Sequence, residues 1–143
     1  MEKLNTIFFY HLDKAIRNYR QYATQQLKEA GFSITIDQWL VLKVLHEDPE
    51  VTQSELAEKV LKDKASVTRI IEILVKDKYL QRKSHDESRR RYKLIITQKG
   101  LSLLSEIQTV VLRNRRVALK GVEKNDLDVA ENVLRNIAEN CSK

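Results

Sequence analysis

Ala65, Ser66, Thr68 and Arg69 give the stretch KDKASVTRIIEILVKDKYL, residues 62–80, a small, hydroxylated face tipped with Arg. An ordinary solvated helix carries Glu and Lys there. On the other side Val67, Ile70, Ile71 and Leu74 follow the 3, 4, 7 spacing of a helical stripe turned toward a core. Short side chains let a helix backbone approach a double helix. The hydroxyls of Ser66 and Thr68 suit phosphate oxygens or base edges, and Arg69 suits a two-pronged contact with guanine O6 and N7. Free amides at the helix start favour a phosphate. Lys62 and Lys64 precede this face and Lys76 continues it. A phosphate clamp and a surface pair with Glu72 or Glu55 are the other readings of Arg69.

The charge distribution points the same way. Residues 62–99 hold twelve Lys and Arg against five Asp and Glu, an excess of seven, whereas the whole chain carries +6. The rest of the chain therefore sums to −1, and the positive field is local. A basic patch beside a helix with a small polar face is a footprint for nucleic acid. A solvated face with a charged hairpin is the bland alternative.

The elements that must position these residues can be traced along the chain. Residues 4–30 carry Leu4, Phe8, Leu12, Ile16, Tyr19, Ala23 and Leu27 on one stripe, ending at Gly31. Such a helix is roughly 40 Å long at about 1.5 Å per residue, so part of its stripe is expected to pack on another subunit. Thr35 and Gln38 read as a capping box for a second helix through Trp39 and Leu45, stopped before Pro49. Thr52 and Glu55 read as another box, for a third helix through Leu56 and Val60. Asp63 can cap the fourth, over 64–78. The period then falls to two at Tyr92, Leu94 and Ile96, the signature of a hairpin. Helices over 99–119 and 125–140 close the chain, separated by Gly121. Two helices joined by a short turn and followed by a hairpin make a winged helix-turn-helix, in a fold that is mainly α with a small β-hairpin. Its second helix enters the major groove.

Composition bounds what else the chain can be. At 143 residues, 42% hydrophobic and 32% charged, it is expected to be globular, and one Pro and three Gly suit a helical chain. A single cysteine, Cys141, excludes an internal disulfide or cysteine cluster and fits the cytoplasm; near a helix end it reads as a packing residue or an incidental thiol. No apolar run approaches the ~20 residues of a membrane span. His11, His46 and His85 fall on different elements, so no metal is expected. No Gly-rich phosphate loop or nucleophile elbow appears, and no enzyme or cofactor is expected.

QWLVL (38–42), TQSELAEKV (52–60), DKASVTRIIEIL (63–74) and LQRKSHDESRRRYKLIITQKG (80–100), with the two closing helices, resemble the MarR family of bacterial transcription regulators. The resemblance spans nearly the whole chain. It implies one unit over 1–143, with a winged-helix DNA-binding core at 35–99 and dimerisation helices at 1–30 and 101–143. It implies a homodimer on a pseudo-palindromic operator of double-stranded DNA, a repressor released by a small aromatic or anionic effector. The recognition positions fall on Lys64, Ala65, Ser66, Thr68 and Arg69, and the wing arginine on Arg89 or Arg90. With Thr52, Gln53, Ser54, Lys62, Lys76 and Arg91 these are the candidate DNA contacts. Tyr19, Tyr22 and Trp39 are the candidate effector-pocket aromatics. The family usually has Asp-Arg-Arg in the wing where this chain has Ser88-Arg89-Arg90. The alternative function is a winged-helix module that coats DNA without sequence preference or docks a protein.

Overall fold

The computed structural model describes residues 1–85 and 88–142, and for residues 85 and 88–92 the backbone alone. A 3₁₀ turn, Leu4–Thr6, leads into α1 (Phe8–Glu29), α2 (Ile36–Glu47), α3 (Gln53–Lys59) and α4 (Lys64–Lys76). Strands β1 (Leu80–His85) and β2 (Ser88–Ile96) form the hairpin, followed by α5 (Gln98–Ala118) and α6 (Lys124–Asn140). The strands are antiparallel, with Leu80 paired to Ile96 and a bulge between Ser84 and His85.

The core sits where α2, α3 and α4 converge. Val41, Leu42 and Leu45 meet Leu56, Ala57 and Val60, and Val67, Ile71 and Leu74 close the cluster from α4. Leu80, Leu27 and the α5 residues Leu103, Ile107, Val110 and Val111 complete it. Ile70 is only half-buried, so the stripe of α4 is narrower than its spacing predicts. Outside this core, α6 buries none of its residues. Leu4, Phe8, Phe9 and Ile16 are exposed near the start of the chain, and Val129, Val133 and Leu134 on α6.

Most caps follow the sequence. Thr35 and Gln38 exchange both bonds of the capping box at 3.1 Å each. The box at Thr52 is half made: Thr52 Oγ1 accepts from the Glu55 amide at 3.1 Å, and Glu55 returns no bond. The first helix does not run unbroken from Leu4. Ile7 is extended, and Thr6 Oγ1 donates to the Lys3 carbonyl at 2.6 Å, a local bond that competes with the helix ladder. Gly31 takes φ +89 and ends α1, with Phe32 N bonded to Leu27 O and Gly31 N to Lys28 O, as in a Schellman motif.

The same motif ends α3 and α4, but without glycine. Leu61 (φ 60) and Lys78 (φ 67) occupy the left-handed position, and α4 accordingly stops at Lys76. Thr97 then ties the end of α4 to the start of α5. Its hydroxyl donates to Lys78 O at 2.6 Å and accepts from Gly100 N at 3.1 Å. Gly100 allows this close approach, because a Cβ there would lie 2.5 Å from Tyr79 O and 2.7 Å from Ile96 Cγ2.

Two outcomes follow for stability. Gly100→Ala should cost about 2 kcal/mol or more in urea unfolding, because backbone rather than a flexible side chain blocks the new methyl. Lys78→Gly should stabilise by about 1 kcal/mol by relieving the left-handed strain.

Candidate nucleic-acid interface

The core leaves one face of α4 in solvent. Ala65, Arg69 and Lys76 are exposed at positions four and seven apart, with Lys64 beside them at the helix start. Arg69 enters no ion pair among the described residues, so neither Glu72 nor Glu55 holds it. Among the described residues its side chain makes one hydrogen bond, from Nη2 to Ser66 Oγ at 3.3 Å.

The two hydroxyls are engaged within the chain. Ser66 Oγ donates to Asp63 Oδ2 at 3.1 Å, so Asp63, Ser66 and Arg69 form one line of contacts along the helix. Thr68 Oγ1 donates to Lys64 O and accepts from Gln53 Nε2, both at 2.9 Å. Gln53, on the preceding helix, thus orients Thr68. The Ser66 amide is also taken, by Asp63 Oδ1 at 2.7 Å. The Asp63 carboxylate thus takes one of the helix-start amides that could otherwise meet a phosphate.

Asp63 has its carboxyl held below the ordinary value of 3.8, first by the Ser66 amide, then by the Ser66 hydroxyl, with Arg69 adding a smaller favourable charge. A carboxyl lowered in this way contributes stability above its unfolded value and loses it as pH falls through the folded one.

Thr52, Gln53 and Ser54 line a groove of about 600 Å³ together with Thr68, Arg82 and Lys93. Lys93 is bound to Glu50 at 2.7 Å across this groove. Arg82 and Lys93 are not among the sequence-predicted contacts; Arg82 lies opposite Leu94 in the hairpin, and Lys93 precedes Leu94 on β2. Lys62 behaves differently from the rest of the candidate set. It pairs with Asp37 at 3.0 Å, and Asp37 also accepts from Arg20 at 3.3 Å. Its charge is thus directed in part to its own chain. The side chains of Arg89, Arg90 and Arg91, and the Ser88 substitution, lie outside the described residues.

A second concavity, about 220 Å³, lies between α1, α2 and α5. Tyr19 and Trp39 line it together with Arg20, Asn114 and Arg115, but Tyr22 does not. Asn114 is 2% exposed, and among the described residues its Oδ1 has no hydrogen-bond partner. Sequence reasoning missed Asn114, although an amide three residues after Val111 on an apolar stripe was the available signal. Cys141 is exposed rather than packed.

Residues 34–92, the segment that carries α2, α3, α4, β1 and the first part of β2, match the sequence model of the MarR family. That segment is a MarR-family domain. Members of this family are transcriptional regulators that bind DNA. The fold is similar to that of BpsR from Bordetella bronchiseptica, whose DNA binding is regulated by 6-hydroxynicotinic acid: TM-score 0.87, 18% identity, covering 96% of this chain and 97% of that one. A MarR/EmrR family regulator from Acinetobacter sp. ADP1 matches with TM-score 0.85 and 17% identity over 97% of each chain. PcaV from Streptomyces coelicolor, solved in complex with its natural ligand, matches with TM-score 0.80 and 20% identity, over 97% of this chain and 96% of that one.

The N-cap gives a pH test. Asp63→Ala should unfold at lower urea than wild type at pH 7. The difference should shrink as the pH falls through and below 3.8, where the wild-type carboxyl also loses its charge.

Proposed function

We propose that this protein binds a pseudo-palindromic DNA operator as a homodimer, represses from it, and is released by a small planar anion. The observation that carries the DNA-reading part is the exposed start of α4. There a guanidinium that enters no ion pair among the described residues stands beside Ala65, on a helix whose other face is locked in the core. An Arg that is not committed to an internal ion pair keeps its two-pronged donor set for a guanine edge. Lys64 and Lys76, Gln53 through Thr68, and the wing arginines supply the phosphate contacts around it.

The homodimer rests on the apolar surface that the chain cannot cover alone. Phe8, Phe9 and Ile16 on α1 and Val129, Val133 and Leu134 on α6 are exposed. A second copy offers the complementary stripes. The effector reading rests on the 220 Å³ cavity. Its aromatic walls, Tyr19 and Trp39, suit a ring, and Arg20 and Arg115 suit a carboxylate.

The deciding experiment compares an operator, selected from random duplexes, with unrelated DNA. A sequence-specific regulator should prefer the operator by ~10³ or more. Comparable affinities would favour the module that coats DNA. Arg69→Ala should lose about 1–3 kcal/mol at the operator and little on unrelated DNA. Joint Arg89→Ala and Arg90→Ala changes should weaken both, and flatten the slope of log K against log salt by about one unit per phosphate contact. In sedimentation the chain should run at twice its 16.8 kDa. A species that stays at the single-chain mass at micromolar concentration contradicts the dimer.

A further inference from the structure

Arg20, Asp37 and Lys62 form a line of charge across three elements. Arg20 Nη1 donates to Asp37 Oδ1 at 3.3 Å, and Lys62 Nζ lies 3.0 Å from Asp37 Oδ2. Arg20 belongs to α1, Asp37 to the first turn of α2, and Lys62 to the turn between α3 and α4. The two oxygens of one carboxylate are therefore divided between the long N-terminal helix and the helix-turn-helix. α1 packs on α5 and α2 rather than on α3 or α4. The Asp37 carboxylate is thus a polar route from α1 to the turn that aims α4.

Arg20 faces a second demand. It lines the 220 Å³ cavity, where Arg115 stands without an ion pair among the described residues and the buried Asn114 leaves Oδ1 unpartnered. An anion entering this cavity meets two guanidiniums. One of them is already held, by a carboxylate that is itself 30% exposed. Guanidinium–carboxylate contacts can be two-pronged, so a ligand carboxylate can compete with Asp37 for Arg20 on equal chemical terms.

The geometry points to Asp37 as a coupling residue: it ties the helix-turn-helix to α1 through Lys62 and Arg20, and an anion in the cavity breaks that tie by taking Arg20. This rests on the effector reading given above. With Arg20 turned to the ligand, Asp37 holds Lys62 alone, and the lobe that carries α4 loses this polar tie to α1. The ligand binds the released arrangement more tightly because Arg20 is free only there. That difference in affinity is the condition for any ligand to shift DNA binding. By linkage, DNA weakens the anion by the same factor.

Operator affinity tests the tie without any ligand. Arg20→Met and Asp37→Asn should each bind the selected operator about three- to tenfold more weakly, the range open to partly exposed ion pairs acting together. The double variant should bind no more weakly than the weaker single one, because both changes cut the same link. Arg20→Lys keeps the charge and should retain most of the affinity. Arg20 lies outside the candidate contact set, so unchanged operator binding by Arg20→Met overturns the proposal. Additive losses in the double variant, or an Arg20→Lys loss equal to that of Arg20→Met, overturn it as well.

Benzoate, with neutral benzamide as control, tests the competition through the fluorescence of Trp39, the only tryptophan. Benzoate should bind Asp37→Asn more tightly than wild type, whereas benzamide should bind both alike. Benzoate should lower operator affinity in wild type and leave that of Asp37→Asn unchanged. Equal benzoate affinity for the two proteins overturns the competition. Failure of both probes to bind either protein would sink the effector reading and the competition with it, while the operator affinities still decide the tie.

Discussion

The burial of Val67, Ile71 and Leu74 fixes which side of α4 meets solvent. Rotating the helix by one residue would swing each of these side chains about 100° out of the core, since a turn takes about 3.6 residues. The packed faces of α2 and α3 leave no room for a second solution, because interiors at crystal-like density do not deform smoothly. Arg69 points outward as a consequence of that burial. The Schellman turns at Leu61 and Lys78 bracket the helix, and each holds a residue with a Cβ in a backbone region that glycine tolerates better. The local strain is held in place by core contacts on both sides.

The helix proposed to face phosphate also carries an acid at its start. Asp63 satisfies the Ser66 amide and, through Ser66 Oγ, stands in line with Arg69. The cap supports the helix while it occupies an amide that could have bound a phosphate. The positive field must then come from side chains, and residues 62–99 supply it with their excess of seven charges. Phosphate attraction of this kind is strong, salt-dependent and indifferent to sequence. In the proposed complex, discrimination falls to Arg69 and its neighbours. Gln53 and Ser66, which brace Thr68 and Arg69 from within, limit how many arrangements the proposed reading face can sample.

The sequence was most legible where one residue type has one local use. Thr35 with Gln38, Asp63 at the helix start, Gly31 after α1 and the alternation through Leu94 and Ile96 all announce backbone geometry within a few positions. It was less legible where a local competitor decides the outcome. Thr6 pulls the first turn of α1 away from the helix, and Glu55 leaves its box half made. It was least legible for contacts between distant elements. Nothing in the local pattern says that Lys62, in a basic run, pairs with Asp37, or that Arg20 does so from seventeen positions earlier. Asn114 could have been noticed as an amide on an apolar face, but its position on a cavity wall depends on how α1, α2 and α5 cross. Tyr22 shows the converse, an aromatic residue of the right type near the cavity in sequence that does not line it.

The central claim is that Arg69 reads a guanine edge, and a mutant cycle that crosses from protein to DNA tests it most directly. Wild type and Arg69→Ala are titrated against the operator and against versions in which one guanine at a time is replaced by 7-deazaguanine, which removes the N7 acceptor. At one guanine in each half-site the wild type should lose affinity while Arg69→Ala should not, giving a coupling of about 1 kcal/mol or more. Zero coupling at every guanine, with Arg69→Ala weaker by the same factor on all duplexes, would contradict the account and leave Arg69 as a phosphate contact.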